Sequence, residues 1–561
     1  MDFARYRPLF TSLSFALLSL TSGLTSAAEP ATPVPALPVP ELQAPPAPRF
    51  DISAFKVEGD TVLGTEKINV LVKPYIGASK DFGDVQQALE ALQDAYQALG
   101  FSTVRVNLPE QELESGVIRL TVTEQKISSI KVEGNQHYSS EAALRAIPSL
   151  QEGALPNTKV IGKSLKLSNE NPTKQTAVLF ADNEKDENSA DATVKVIDAK
   201  PWKASITLDN TGTRETGHGR ITLAYQNYNM FDTDQRLTAQ IITNPHFPQN
   251  IFNPDHKVRV YVFGYTIPFA SIGDSIDLLA SYSDSTSTTP IVLQGLIGNI
   301  SGNGLVLGAH YNHNLEKLPD YDQKLTFAYD SRATRSSHDD LGNLLSAALT
   351  TTPVSVTYSG QWTPNPHSIA FSVGVSRNIA GLAEHGNKED FQTALANSTF
   401  SKLNFTLDYA RPLPKDWQLH ASFSAQLSSD SVPSIEKFRI GGTDTVRGFH
   451  ESELSGDEGF RASVELYTAN IGQFMKSDKT TLRGVLFTDA GRVADNQDTS
   501  GTIVTAQTTI ASFGAGLRYT YGANIVGRLD LAQVLKGDTN NGSGNTRNGD
   551  HYVNGSIAYL W

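Results

Sequence analysis

Gly162-Lys163-Ser164 has the ending of a phosphate-cradling loop, in which backbone N–H groups and a lysine hold phosphates, but the glycine needed five residues before Gly162 is replaced by Asn157. No nucleotide site follows, and no nucleotide is expected as a partner. The twelve histidines include no pair at metal-ligand spacing beside a carboxylate helix, so they read as surface or lumen side chains rather than metal ligands. With no cysteine, the chain has no disulfide, no thiolate nucleophile and no thiolate metal site. No nucleophile elbow is present either, so neither an enzyme nor a cofactor is expected. What remains is charge chemistry. Phe487, Asp489 and Gly491 fall on one face of an alternating segment, and Leu486, Thr488 and Ala490 on the other. A carboxylate facing lipid is costly, so in a membrane strand Asp489 must face inward, where an arginine's fork of donors can neutralise it.

The elements that would carry such a strand are legible from the N-terminus onward. Residues 1–28 carry Arg5 and Arg7, an apolar stretch from Leu13 to Leu20, and the small-residue end Ser26-Ala27-Ala28. That order reads as a secretory signal cut before Glu29, since the apolar run is too short for a membrane anchor. Residues 29–48 hold eight prolines in twenty positions, a density that excludes a stable helix and reads as an extended tether. The tetrapeptide Lys56-Val57-Glu58-Gly59 recurs as Lys131-Val132-Glu133-Gly134, which marks two tandem α/β modules, 49–126 and 127–200. In the first, Val85, Leu89, Leu92, Tyr96 and Leu99 share a helical face that Gly100 terminates, and Ile118, Leu120 and Val122 alternate on a strand. The order is strand, helix, helix, strand, strand. The second module repeats it, with helices around Leu144–Ile147 and Val160–Leu167 and strands near Ala177–Phe180 and Ala192–Ile197. Each module leaves a sheet edge exposed.

From 201 to 561 the texture changes to short alternating segments separated by Gly, Asn, Asp, Ser and Thr clusters, with no comparable helical signal. Val354, Val356 and Tyr358 alternate with Ser355, Thr357 and Ser359; Phe513, Ala515, Leu517 and Tyr519 alternate with Gly514, Gly516, Arg518 and Thr520. A soluble sandwich also alternates. The last strand decides between them: Val553, Ile557, Tyr559 and Trp561 share a face, and an aromatic residue ends the chain, as on the lipid-facing girdle of an outer-membrane barrel. At roughly 20 to 24 residues per strand and connection, this region holds about sixteen strands. The net charge of −13 argues against nucleic acid as a partner.

The segment Glu436-Lys437-Phe438-Arg439-Ile440-Gly441-Gly442-Thr443-Asp444-Thr445-Val446-Arg447-Gly448-Phe449 resembles the signature lumen loop of two-partner secretion transporters, relatives of the barrel-assembly proteins. Gly456-Asp457, Glu465-Leu466 and Phe487-Thr488-Asp489-Ala490-Gly491 continue the resemblance. So does Leu108-Pro109-Glu110-Gln111 before Gly116. The resemblance implies two polypeptide-transport-associated domains and a membrane β-barrel whose lumen loop, near 436–456, carries Val446, Arg447, Gly448 and Phe449. In that family pattern Arg447 pairs with Asp489 on the inner wall, supported by Gly441, Gly442, Phe487 and Gly491. The implied function is export of an unfolded partner, a large β-helical adhesin or haemolysin, from the periplasm through the barrel to the surface of a Gram-negative cell. Outer-membrane lipid and the barrel-assembly machinery, which would read Tyr559 and Trp561 during insertion, are the other partners it implies. An assembly factor that inserts other barrels is the alternative; such factors usually carry more than two modules. A plain porin leaves the modules unexplained. Many relatives begin with a pore-plugging helix, which residues 29–48 cannot form.

Overall fold

The computed structural model describes residues 49–561 apart from 112–115, 213–217, 245–257, 286–288, 294–295, 301–303, 317, 336, 339–343, 476, 498–499, 501–506 and 538–545. The signal and tether readings therefore lie outside the described residues. The chain divides into two units, the modules up to Ala199 and the barrel from Lys200.

In the first module Ala54–Glu58 runs parallel to the central strand Val117–Glu124, which pairs antiparallel with Val104–Asn107 on its other side. The helices Thr65–Val72 and Phe82–Ala98 cover that sheet. Their apolar spacing places Ile68, Val72, Val85, Ala88, Leu92 and Tyr96 against Ile118, Leu120 and Val122. Asp81 caps the longer helix in a capping box with Asp84. Leu99, placed on the buried face by its spacing, is the exposed C-cap residue instead, because the helix ends one residue before it. The fully buried Tyr96 donates its hydroxyl to Asp60, whose carboxylate also accepts the backbone N–H groups of Val62, Leu63 and Gly64. Two short strands, Phe50–Ile52 and Gly77–Lys80, pair apart from the main sheet.

The second module repeats the plan with the sheet Lys126–Glu133, Asp186–Asp198, Lys174–Asn183 and the helices Ser140–Arg145 and Thr158–Asn169. The repeated tetrapeptide has a common physical cause. Gly59 and Gly134 have φ of 91° and 87°, and a Cβ there would lie 2.3 Å from Val122 O and 2.4 Å from Val196 O. Only glycine lets the first strand leave each sheet so close to its central strand. Asn157, the residue that breaks the phosphate-loop pattern, is the N-cap of Thr158–Asn169 and accepts the N–H groups of Lys159 and Val160. Its side chain also donates to Leu99 O at 3.0 Å, and Thr158 N–H donates to Gly100 O at 2.7 Å, so the end of one module's helix is tied to the start of the other's.

The barrel is closed and antiparallel. Leu349–Thr351 and Pro353–Trp362 both pair with Tyr321–Thr334 and are two pieces of one strand, which makes sixteen in all. The break falls where Pro353 has no N–H to donate and Thr352 N–H turns to the Asn378 side chain. The first strand, Trp202–Asp209, closes on the last, His551–Leu560. Val553, Ile557, Tyr559 and Trp561 lie exposed on one face, with Tyr559 and Trp561 edge to face at 4.9 Å. Short turns join the strands at one rim, apart from the longer connection 468–479; at the other rim lie longer connections, among them 379–400 and 428–457. The connection 379–400 contains a six-residue helix, Lys388–Thr393, where no helix was expected; it is too short to show periodicity.

Candidate functional site

The connection 428–457 does not leave the barrel. It folds back inside as a hairpin, Phe438–Ile440 paired with Leu454–Gly456, and its far end packs Ile440, Val446 and Phe449 against Val493, Ile510 and Val534 of the wall. Apolar side chains facing inward would be exposed in an open channel, and the loop is what covers them.

Arg447 is 3% exposed and Asp489 1%. Asp489 Oδ2 accepts Arg447 Nε at 2.7 Å and the Arg447 backbone N–H at 3.0 Å, while Oδ1 accepts Nη2 at 2.8 Å. The guanidinium also donates to Glu465 Oε1 at 2.6 Å and Ser463 Oγ at 3.1 Å, and its carbon lies 3.5 Å from the centre of the Phe487 ring. Two carboxylates and an aromatic face thus surround one cation, a site that suits arginine and not lysine. Asp489 and Phe487 face inward and Leu486 and Thr488 face out, following the alternation of the strand Thr480–Ala494.

The glycines set how closely the loop can seat. Gly448 has φ of 92°, and a Cβ there would come within 3.3 Å of both Ala532 and Val534. At Gly442 a Cβ would overlap the Glu451 carboxylate, at Gly441 it would press on His450 O, and at Gly491 it would meet Ile440 and Val446. Tyr559 and Trp561 stand apart from this cluster, on the outer face of the last strand.

Further residues anchor the loop beyond the roles that the motif implies. Arg528 donates to Asp444 Oδ1 at 3.0 Å and Thr443 O at 2.7 Å of the loop, and to Asp530 Oδ2 at 2.6 Å of the wall. At the loop's root Glu436, 2% exposed, accepts Lys402 Nζ at 2.5 Å, Arg332 Nη1 at 3.0 Å and Thr351 Oγ1 at 2.8 Å. Gln426 Nε2 donates to both Glu436 O and Asp457 O, at 3.0 and 2.9 Å, and so pins the two ends of the hairpin together. The loop is therefore held at its tip by one sector of the wall and at its root by another. Among the described residues no group of three or more His, Asp or Glu side chains could hold a metal ion.

In the first module, Gln111 makes the contact that the Leu-Pro-x-Gln segment implied no geometry for. Its amide donates to Arg119 O at 2.8 Å and accepts Arg119 N–H at 2.7 Å, extending the ladder of the central strand by one side chain.

Comparison with known proteins gives matches over most of the length. Residues 189–519 match the model of the haemolysin secretion/activation proteins ShlB/FhaC/HecB, and residues 50–125 match the ShlB-type POTRA domain. The chain is 26% identical over 501 residues to the outer membrane transporter CdiB of Escherichia coli, covering 84% of this chain and 80% of that protein. It is 24% identical over 445 residues to the haemolysin transporter protein ShlB of Serratia marcescens, covering 78% and 74%. The solved structure of CdiB from Escherichia coli superposes with a TM-score of 0.71 at 21% identity, over 99% of this chain and 96% of that one.

Proposed function

Since the chain belongs to the haemolysin secretion/activation protein family ShlB/FhaC/HecB, we infer that it is the outer-membrane transporter of a two-partner secretion system, moving a partner protein from the periplasm to the cell surface. The observation that carries this reading is the family match across residues 189–519, which falls on a sixteen-strand barrel filled by its own loop and preceded by a POTRA-type module. The same match favours export over insertion of other barrels. Members of the family are transporters, and the N-terminal modules are periplasmic in it. The chain thus enters the barrel at Trp202 from the periplasmic side, and the long connections open at the cell surface.

The two modules, 49–126 and 127–200, offer outer strands to which an extended partner adds by main-chain hydrogen bonds, tolerant of many sequences. The partner then threads the barrel once the loop leaves the lumen, so the bonds of Arg447 to Asp489 are what must rearrange. Folding of the partner outside supplies the outward bias. We assign Val446, Arg447, Gly448 and Phe449 as the seated tip, Asp489 as its acceptor, and Gly441, Gly442, Phe487 and Gly491 as the surfaces that let it seat. Tyr559 and Trp561 serve insertion of the barrel by the assembly machinery. The cargo is a large β-helical adhesin or haemolysin. Deletion of this protein should remove one large polypeptide from the cell surface and culture supernatant while other outer-membrane barrels persist. A general fall in barrel content would overturn the exporter reading in favour of an insertase.

A further inference from the structure

The outward face of the barrel carries a groove of about 600 Å3 across five strands, between Asp274–Ser285 and Ser368–Asn378. Strand register builds it as two rungs. The lower rung is Ile276, Tyr311, Phe327, Val356 and Val375 in cross-strand order, apolar but for the Tyr311 hydroxyl, which donates to Asp274. The upper rung starts Leu278, Ala309, Tyr329, Val354, and the small Ala309 between two large neighbours makes the depression. It ends on Arg377, directly across from Val354.

Arg377 shares the outward, exposed face of its strand with Val373 and Val375, while Ser372, Gly374 and Ser376 face inward. Among the described residues its guanidinium has no hydrogen bond or ion pair. It stands one residue before the strand's end, at the rim of the long connections, where a side chain that would be costly at mid-depth reaches the headgroup layer. Arg492, also on the lipid-facing side at that rim, donates instead to Gln507. A long apolar trough with an unpaired guanidinium at its headgroup end is complementary to one class of molecule, an acyl chain bearing a phosphate.

We propose that the groove ending at Arg377 binds one phosphorylated acyl lipid of the outer leaflet, of the lipid A type, with an acyl chain along Ala309 and a phosphate on Arg377. The proposal rests on the outer-membrane reading above. The phosphate takes the guanidinium's donors, and the chain covers aromatic and aliphatic side chains that a disordered bilayer edge covers only on average.

The full chain, purified in detergent, is titrated with bis-phosphorylated lipid A and with the same lipid after phosphatase treatment, and adducts are counted by native mass spectrometry. One retained adduct is expected, at least tenfold weaker for the dephosphorylated lipid. Arg377→Gln should weaken binding of the phosphorylated lipid about tenfold and leave the dephosphorylated lipid unchanged. Ala309→Trp, which fills the trough, should weaken both, and Arg492→Gln should change neither. Heat-modifiable migration of each variant reports a folded barrel, and a chain absent from the outer-membrane fraction would defeat the location and not the groove. Equal binding of the two lipids, equal binding by Arg377→Gln, or equal retention of phosphatidylethanolamine would overturn the proposal.

Discussion

Arg447 gives Asp489 three hydrogen bonds, two from its guanidinium and one from its own backbone N–H. The backbone bond fixes the chain at the loop tip as well as the side chain, so the pair sets where the whole hairpin lies. Glu465 and Ser463 then take the guanidinium's remaining donors, and the Phe487 ring closes one face. An ion pair this well satisfied is strong in place and expensive to break on one side only.

Arg447→Ala leaves Asp489 buried without its cation, at a cost of about 3–5 kcal/mol. The loss should appear as an undocked loop and impaired secretion, with the barrel still inserted and heat-modifiable. Asp489→Ala should do the same, and the double variant should be clearly less than additive in a secretion assay, as contacting residues are. Arg447→Lys should not rescue, because a single ammonium cannot reach both carboxylates and cover the ring. Additive losses would mean that the two residues act separately.

Glu436→Gln removes the charge that faces Lys402 and Arg332 at the loop's root while keeping the size of the side chain. Two buried or half-buried cations are then left facing a neutral amide. In planar bilayers the variant should open more often than the parent protein, and combined with Arg447→Ala it should open more than either alone, since root and tip are held by different strands.

How much of this was legible in the sequence differs from residue to residue. The tetrapeptide repeat marked both modules because the close approach at Gly59 and Gly134 demands the same residue twice. Alternation together with the cost of a carboxylate facing lipid turns Asp489 inward. Arg528 lies outside every motif segment, and Glu436 and Glu465 fall within them without any sign of what they meet: many charges alternate into the lumen, and which of them meets the loop depends on pairs far apart in sequence, 104 residues for Arg332 and Glu436 and 84 for Arg528 and Asp444. Arg377 was illegible for the opposite reason. It sits on the apolar face of its strand, just beyond Val373 and Val375, and so falls at the end of a pattern without standing out as a site. The strands Phe50–Ile52 and Gly77–Lys80 are too short for alternation to register.

Gly448→Ala tests how tightly the tip must seat. The residue has φ of 92°, and its added methyl would press on Ala532 and Val534 at 3.3 Å. Left-handed strain of about 1–3 kcal/mol should shift the loop away from the wall without altering any charge. Protease cleavage within 436–456 in intact cells should rise about tenfold. Unchanged cleavage would show that the wall yields instead.

The first module should carry an acid limit at Asp60. Burial pushes this carboxyl up, but the Tyr96 hydroxyl and the N–H groups of Leu63, Gly64 and Val62 outweigh it, and the group is held below the ordinary aspartate range. The folded module therefore binds this proton more weakly than the unfolded chain, whose aspartates titrate near about 3.9. Stability from Asp60 is full above that value and is lost as the pH falls through the lower, folded one. Tyr96 is pushed up by burial and by the same carboxylate, so it remains a neutral donor throughout. Tyr96→Phe should cost about 1–2 kcal/mol at pH 6, read as faster amide exchange at Val62, Leu63 and Gly64 in the full-length protein. Asp60→Asn should weaken protection at pH 6, and the difference from the parent should shrink as the pH falls below the unfolded value of about 3.9 and toward the lower, folded one. A gap between parent and Asp60→Asn that stays the same from pH 6 to pH 3 would show that the turn is held by its shape, with the charge of Asp60 contributing nothing.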